Sequence, residues 1–139
     1  MARSIDPEDY QHVPRPVAAM PKDFAAGFQI APHSHTRAQL VHAVEGLMWV
    51  ETDAGAWAVP PRYALWLPAG VRHSVRMVTP VAMRTLYIDT ARIDRLPGSC
   101  TVIAVSPLLR ELIVAAVAEP VEYDEGGRGG HVAALLLDE

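Results

Sequence analysis

Short apolar-rich runs, broken by turn signals at close spacing, extend from Phe24 to about Val105. This pattern is typical of an antiparallel sandwich or barrel, in which short strands alternate with tight connections. It predicts strands with approximate limits at 24–31, 38–44, 47–52, 56–60, 63–67, 73–78, 83–89 and 101–105. Between the third and fourth strands, Asp53, Ala54 and Gly55 provide the residue types of a tight hairpin.

After Val105 the apolar period changes from two to about 3.6, which indicates a helix. Its apolar stripe consists of Leu108, Leu109, Leu112, Ile113, Ala116 and Val117. Ser106 is placed to cap this helix, and Pro107 occupies the first helical position, where a missing N–H costs nothing. The stretch 123–130 contains four glycines and predicts a flexible loop. A second helical pattern at 131–139 stops without a capping signal, so we expect the chain to be cut from a longer protein.

Residues 1–22 contain Pro7, Pro14, Pro16 and Pro21 among charged residues. Because proline fixes φ and removes a backbone donor, this segment is predicted to be an extended arm on the surface. The sequence thus divides into an arm at 1–22, a β-barrel at 23–105 and a helical segment at 106–139.

The composition is that of one globular domain: 139 residues, half of them hydrophobic and a fifth charged. A formal net charge of −4 argues against a free-standing nucleic-acid binder, which needs a concentrated basic surface. The single cysteine, Cys100, cannot form an internal disulfide. The N-terminus has no signal-peptide pattern and no apolar run is long enough to span a bilayer, so the cytoplasm is the expected compartment, with no membrane partner.

The candidate chemistry lies in two short segments. His33, His35 and Gln39 have the same parity, so on a continuous strand their side chains would project to one face. Farther along, a Pro68–Gly70 turn precedes His73. Three imidazoles and an amide oxygen suit a divalent transition metal (Zn, Ni, Fe or Co) better than Ca²⁺ or Mg²⁺.

Two interpretations of these four residues stay open. They form a metal site, or the histidines hydrogen-bond to one another and to water in a polar pocket, with Gln39 as a supporting donor. His42 has the opposite parity and is expected to point away from the site. His12 and His131 lie in the arm and the tail and are expected to be structural or solvated.

The spacings H33-x-H35-x(3)-Q39-x(6)-G46 and P68-x-G70-x(2)-H73 resemble the two halves of the cupin signature. Gln39 stands where many cupins have Glu, Arg62 where the second half usually opens with Gly, and Met77 where it often ends with Asn. More closely, residues 33–89, including HAVEG, VPPRYALWLPAGVRH and MRTLYID, resemble the N-terminal sensor domain of AraC-type transcriptional regulators. The resemblance covers about 24–139.

This resemblance implies a mainly β fold, a cupin (double-stranded β-helix, jelly-roll) barrel followed by C-terminal helices. It implies a ligand-sensing and dimerisation domain that responds to a small-molecule effector or a metal and forms a homodimer through the helix at 106–118. Docking of the arm would change on ligand binding, with Pro14 and Pro16 in a ligand-gated flap. DNA would be bound only by a C-terminal helix-turn-helix domain that this chain lacks.

Three further residues are candidates for the ligand pocket: Trp49 and Trp66 by stacking, and Arg84 by a bidentate contact to a carboxylate. The alternatives are core packing for the tryptophans and a surface salt bridge for Arg84.

The competing function is a small metal-dependent cupin enzyme of the dioxygenase or isomerase type, although no acid–base pair is evident and no catalytic residue is assigned. A third possibility is a structural cupin whose barrel is filled by Met48, Trp49, Trp66 and Met83.

Overall fold

The computed structural model of the chain describes residues 6–90 and 98–138. This part contains a short 3-10 helix, ten strands and two α-helices. In chain order they are the 3-10 helix Pro7–Tyr10, β1 Val17–Phe24, β2 Gln29–His33, β3 Ala38–Val41, β4 Ala43–Glu45, β5 Met48–Thr52, β6 Gly55–Val59, β7 Tyr63–Leu67, β8 His73–Met77, β9 Val81–Ile88, β10 Thr101–Ala104, α1 Pro107–Ala118 and α2 Arg128–Asp138.

The strands form two antiparallel sheets. The first has the order β1-β9-β3-β7-β10, with β4 also paired to β9, and the second has the order β2-β8-β5-β6. The predicted class, mainly β with helices after the strands, is confirmed. The hairpin at Asp53 and Ala54 is also confirmed, because Thr52 of β5 pairs with Gly55 of β6.

Alternation along β9 separates two apolar layers. Val81 and Met83 belong to the core between the sheets, whereas Leu86 and Ile88 belong to a second core under the helices. The core between the sheets also contains Phe24, Val41, Ala43, Met48, Val50, Val59, Leu65, Leu67, Val75 and Met77. One face of the first sheet therefore lines the barrel and its other face carries α1 and α2.

The predicted helix at 106–118 is observed as α1. The Ser106 side chain accepts a hydrogen bond from the backbone N–H of Leu109 at 3.0 Å, which caps the first turn. Leu109, Leu112 and Ile113 are buried against the sheet, but Leu108, which the stripe also included, is 52% exposed. The stripe thus packs mainly on its own barrel.

The expectation of a surface arm is wrong for residues 17–22, which form most of β1. This strand pairs with β9 over its whole length, from Val17 opposite Ile88 to Phe24 opposite Val81. Pro21 is accommodated because β1 is an edge strand, where a residue without an N–H breaks no sheet ladder. The predicted strand at 24–31 is instead the end of β1, a turn at 25–28 and the start of β2.

Two other boundaries differ from the sequence prediction. The expected strand at 38–44 is interrupted at His42, and β3 and β4 both pair with β9. The second helix begins at Arg128 rather than His131, so two of the loop glycines are helical. They permit close packing, because a Cβ at Gly130 would overlap the carbonyl oxygen of Glu125 and one at Gly129 would overlap the Tyr123 side chain. In the described part, neither helix is long and apolar enough to cross a membrane.

Candidate metal centre and cavity

Two chain segments meet at one end of the barrel. His33 at the end of β2 lies opposite His73 at the start of β8, next to an irregularity in the strand register. His35 follows in the loop between β2 and β3, and its carbonyl oxygen accepts a hydrogen bond from the backbone N–H of Gly70 at 2.9 Å. This bond ties the loop to the Pro68–Gly70 turn and thereby brings the third imidazole to the other two.

The three predicted histidines form one cluster. A ligating nitrogen from each of His33, His35 and His73 can be chosen so that all three lie within 4.8 Å of one another. The ring centroids are 4.4 Å apart for His33 and His73, 4.6 Å for His33 and His35, and 5.3 Å for His35 and His73. The expectation that these side chains project from one continuous strand is wrong for His35. That residue lies in the loop between β2 and β3.

Backbone carbonyls set the tautomers of two of these rings. Nδ1 of His33 donates to the carbonyl oxygen of Ala31 at 2.8 Å, and Nδ1 of His73 donates to that of Val71 at 3.0 Å. Because a carbonyl can only accept, the proton resides on Nδ1 and the lone pair is on Nε2. Nε2 of His35 is buried and has no hydrogen-bond partner among the described residues. Three imidazole nitrogens are thus available as acceptors or metal ligands.

Gln39 lines the same cavity as His33 and His73. Its Nε2 donates to Oγ1 of Thr85 at 2.8 Å, and that hydroxyl donates in turn to the carbonyl oxygen of Leu40 at 2.9 Å. Since the hydroxyl proton of Thr85 is engaged by Leu40, Oγ1 can only accept from Gln39, which fixes the orientation of the amide. Oε1 of Gln39 is left buried without a partner among the described residues.

Burial keeps two imidazoles of the cluster, those of His35 and His73, uncharged at neutral pH. Desolvation, followed by the neighbouring His33 and His73, lowers the pKa of His35 to about 4. Desolvation also lowers the pKa of His73 to about 4, despite the opposing hydrogen bond to Val71. Desolvation raises the pKa of Tyr87, whose ring packs edge-on against His35 with centroids 5.1 Å apart. Neutral imidazoles are the form that binds metals.

The cluster opens into a cavity of about 430 Å³ between the sheets. Most of its wall is apolar, and His33, Gln39, His73 and Tyr87 are on the polar side. The other lining residues are Pro7, Met20, Lys22, Phe24, Phe28, Gln29, Ile30, Ala31, Pro32, Val75 and Met83. Its volume is within the range of cavities that hold small organic ligands.

The three proposed pocket residues lie elsewhere, and that part of the prediction is corrected. Trp49 is on the outer face of the second sheet, with its indole N–H donating to Glu51 at 2.8 Å. Trp66 packs in the core under the helices, and Arg84 forms a surface ion pair with Asp23 at 2.8 Å. In each case the adjacent residues on the strand face the interior of the barrel. Because successive side chains of a strand point to opposite faces, these three side chains point away from the barrel interior.

The other histidines are outside the cluster, as expected. His42 is completely buried, its Nε2 donates to the carbonyl oxygen of Pro61 at 3.1 Å, and desolvation lowers its pKa. His12 and His131 are exposed.

Sequence reasoning missed several residues around the cavity. Thr85 and Tyr87 share the parity of the inward-facing Met83, a signal that was available in the sequence. Arg37 could not have been found in this way, because its partners are 24 to 50 residues away. Its guanidinium donates to the carbonyl oxygens of Gln11 and Tyr87 and holds the arm beside the cavity.

The model of the AraC-like ligand binding domain family matches residues 24–136, most of the chain. The chain belongs to this family. The predicted assignment to the ligand-binding domain of AraC-type regulators is thereby confirmed. The HTH-type transcriptional regulator NimR of Escherichia coli (strain K12) is 35% identical over 107 residues, covering 77% of this chain and 39% of NimR. This AraC-like domain therefore spans well under half the length of that curated relative.

Solved structures agree with the fold of an AraC-like ligand-binding domain. An apo variant of ToxT from Vibrio cholerae matches with a TM-score of 0.69 at 9% identity, over 90% of this chain and 54% of that one. An IolB-like protein from Salmonella typhimurium matches with a TM-score of 0.52 at 17% identity, over 63% and 36% of the two chains. A variant of oxalate decarboxylase from Bacillus subtilis matches with a TM-score of 0.50 at 17% identity, over 56% and 22%. At these identities the likeness concerns the fold alone, and it agrees with the predicted cupin-type barrel.

Proposed function

We propose that this domain senses a small organic effector with the help of a divalent transition metal, and that it does so as part of a longer transcription regulator. The observation that carries the proposal is a group of three histidine nitrogens within 4.8 Å of one another, in which His33 and His73 also line a mostly apolar cavity of about 430 Å³. A sensor needs a concave space and polar groups that recognise the effector, and this cavity, which is partly open to solvent, has both.

The chemistry of the donor set supports a metal at this site. Two Nδ1–H groups are engaged by backbone carbonyls, so the Nε2 lone pairs of His33 and His73 are free, and Nε2 of His35 is buried without a partner. Leaving such a group unpaired costs about 1–3 kcal/mol, which a bound metal ion would recover. Oε1 of Gln39 is the proposed fourth donor. Three nitrogens and one neutral oxygen favour Zn²⁺, Ni²⁺ or Fe²⁺.

We infer a sensor rather than an enzyme from the residues that line the cavity. Within the described part of the chain this lining includes no aspartate or glutamate, so the isomerase-type alternative would lack a carboxylate acid–base group there. When bound, the metal would act as a Lewis acid that holds a donor atom of the effector. Tyr87 and Gln39 would orient that atom from the side.

Membership in the family and the similarity to NimR, which is named as an HTH-type transcriptional regulator, support a role in transcription. We propose that DNA is bound by a helix-turn-helix part of the whole protein and that this domain provides effector binding and dimerisation. The cytoplasm is the compartment in which such a regulator acts.

The test is the metal content of the purified domain, measured by elemental analysis. We expect about one divalent ion per chain, and we expect His33→Ala/His73→Ala to lose it. The double variant should still give a β-rich circular dichroism spectrum, because the barrel core is apolar rather than held by metal. The matched control is His12→Ala/His131→Ala, which removes two exposed imidazoles outside the cluster and should retain the ion.

A folded domain without stoichiometric metal would refute the metal part of the proposal. The histidines would then line a purely organic effector pocket. Metal retained by His33→Ala/His73→Ala would place the ion elsewhere and would also contradict the proposed ligand set.

A further inference from the structure

Lys22 is the only lysine of the chain, and it lies on the inward-facing row of β1. Residues of alternating parity on this strand face different sides: Ala18, Met20 and Phe24 are buried in the barrel, whereas Val17 and Ala19 pack under the helices. Lys22 has the parity of the first group and lines the cavity. An ammonium group therefore borders a space that is otherwise mostly apolar.

No carboxylate of the described residues neutralises this ammonium. Asp23, the adjacent acidic residue, points the other way and pairs with Arg84 at 2.8 Å. The contact found for Nζ of Lys22 is the ring of Phe24, whose centroid is 5.2 Å away. A cation held over an aromatic face at a mostly apolar cavity wall attracts an anion, because the apolar wall reduces the screening of the charge by water.

Lys22 is also the sole permanently charged side chain in the cavity lining of the described residues. The apolar part of the wall includes Met20, Met83, Phe28 and Ile30. A ligand that matches this wall has an apolar body and one negative charge.

The position of Lys22 along β1 indicates how a ligand would be oriented in the cavity. In the register of β1 and β9, Lys22 lies opposite Met83 and Ala18 lies opposite Tyr87. Met83 and Tyr87 are four residues apart, roughly 13 Å of strand. Since the Tyr87 ring packs against His35, the ammonium and the histidine cluster lie toward opposite ends of the cavity.

We propose that the effector is an elongated apolar monocarboxylate whose carboxylate binds Lys22 and whose apolar body extends toward the histidine cluster. The proposal rests on the proposed effector-sensing function and names the chemical class of the effector. The carboxylate is bound by the ammonium, and a donor atom at the far end of the body reaches the metal held by the histidines.

A matched pair of probes tests the class: 4-phenylbutyrate and its neutral isostere 4-phenylbutanamide. Because the chain has one lysine, reductive methylation with ¹³C-formaldehyde introduces a single side-chain NMR reporter at Lys22 that keeps its positive charge. The N-terminal amine is labelled too, and Lys22→Arg identifies its signal. We expect 4-phenylbutyrate to shift the Lys22 methyl signal at saturation and the amide to leave it nearly unchanged.

Affinities measured by calorimetry complete the test. Lys22→Met should weaken 4-phenylbutyrate about tenfold or more, as expected for a charge-assisted contact, and should change the affinity of the amide less than about twofold. The control Arg62→Met also removes one positive charge, at a position outside the cavity, and should bind both probes as the wild type does.

Three outcomes overturn the proposal. If acid and amide bind equally and Lys22→Met changes neither, the cavity binds organic molecules without selecting an anion, and the sensing function stands without this class. If 4-phenylbutyrate binds but leaves the Lys22 signal unchanged, its carboxylate binds the metal instead. Absence of any binding of the acid also overturns the proposal. The separate measurement of metal content then shows whether the histidines still bind a metal ion.

Discussion

At the scale of single residues, the cavity end of the barrel holds buried polar groups without partners. Nε2 of His35 and Oε1 of Gln39 make no hydrogen bond with the described residues, although both are buried. Such groups lower stability and favour any ligand that satisfies them. His35 and His73 accordingly remain neutral at neutral pH, since desolvation lowers the pKa of each to about 4.

The depressed pKa values predict that the metal-free domain is less stable in mild acid. The unfolded chain takes up protons at its histidines below about pH 6.5, whereas folded His35 and His73 do so only near pH 4. Their contribution to stability is therefore complete above pH 6.5 and is lost as the pH falls from 6.5 to 4. Urea unfolding at several pH values, with a chelator present, measures this loss.

His35→Gln/His73→Gln isolates the effect from the other titrating groups. We expect this variant to lose less stability than the wild type does when the pH is lowered from neutral to mildly acidic values. Equal losses in the two proteins would show that the two histidines are not the groups responsible.

Gly46 supports a second prediction at this scale. Its φ is +94°, and an added Cβ would overlap the backbone of Pro80 and Val81. We expect Gly46→Ala to lower the free energy of unfolding by roughly 2 kcal/mol or more, from both backbone strain and overlap. Gly27→Ala is the control, because its φ is +84° with no atom within 4 Å, so it carries the strain alone. Chemical unfolding that gives equal losses would contradict the overlap argument.

At the scale of elements, the N-terminal segment closes one end of the barrel. The Tyr10 ring is fully buried and stacks on Tyr87 with centroids 6.0 Å apart. Gln11 accepts two hydrogen bonds from Arg37, one at its side chain and one at its backbone carbonyl, each at 2.9 Å. The arm is thus held by residues that adjoin the histidine cluster, which supports the proposal that ligand binding changes its docking.

Arg37→Met is predicted to loosen the arm. The substitution keeps much of the apolar stem and removes the guanidinium contacts to Gln11, Val13 and Tyr87. We expect backbone amides at 7–13 to exchange with solvent at least about tenfold faster, because breaking these contacts costs several kcal/mol in a buried setting. Hydrogen exchange with mass spectrometry measures the exchange rates of these amides. The control is Arg62→Met, a substitution outside the arm and the cavity. Unchanged protection of 7–13 would refute the role assigned to Arg37.

At the scale of the whole molecule, the two helices cover one side of the first sheet and leave apolar side chains on the surface. Leu108 and Val114 on α1 and Leu135 on α2 are 52%, 42% and 47% exposed. The other face of α1 is occupied by its own barrel, so a homodimer through the helix at 106–118 would use the exposed side chains.

Leu108→Glu/Val114→Glu is predicted to convert such a dimer to a monomer, because two carboxylates would be buried without partners. Sedimentation velocity over a range of concentrations measures the change. Val78→Glu, at a 42% exposed position on the barrel, is the control and should leave the dimer intact. A wild-type monomer at all concentrations would contradict dimerisation through α1.

Local sequence signals determined a large part of this protein. Alternating apolar residues predicted most strands, Ser106 and Pro107 predicted the start of α1, and the spacing of His33, His35 and His73 predicted the cluster through its family resemblance. These features depend on residues close in sequence, whose conformational preferences are set by neighbouring side chains and backbone hydrogen bonds.

Contacts between distant segments were decided only by the tertiary structure. The pairing of β1 with β9 moved residues 17–22 from a surface arm into the barrel, and the bond between His35 and Gly70 brought a loop histidine to the cluster. The same packing turned Trp49, Trp66 and Arg84 outward and left Lys22 at the cavity wall. The physical reason is that burial, and with it the pKa of a histidine or the pairing of a charge, depends on which surfaces meet.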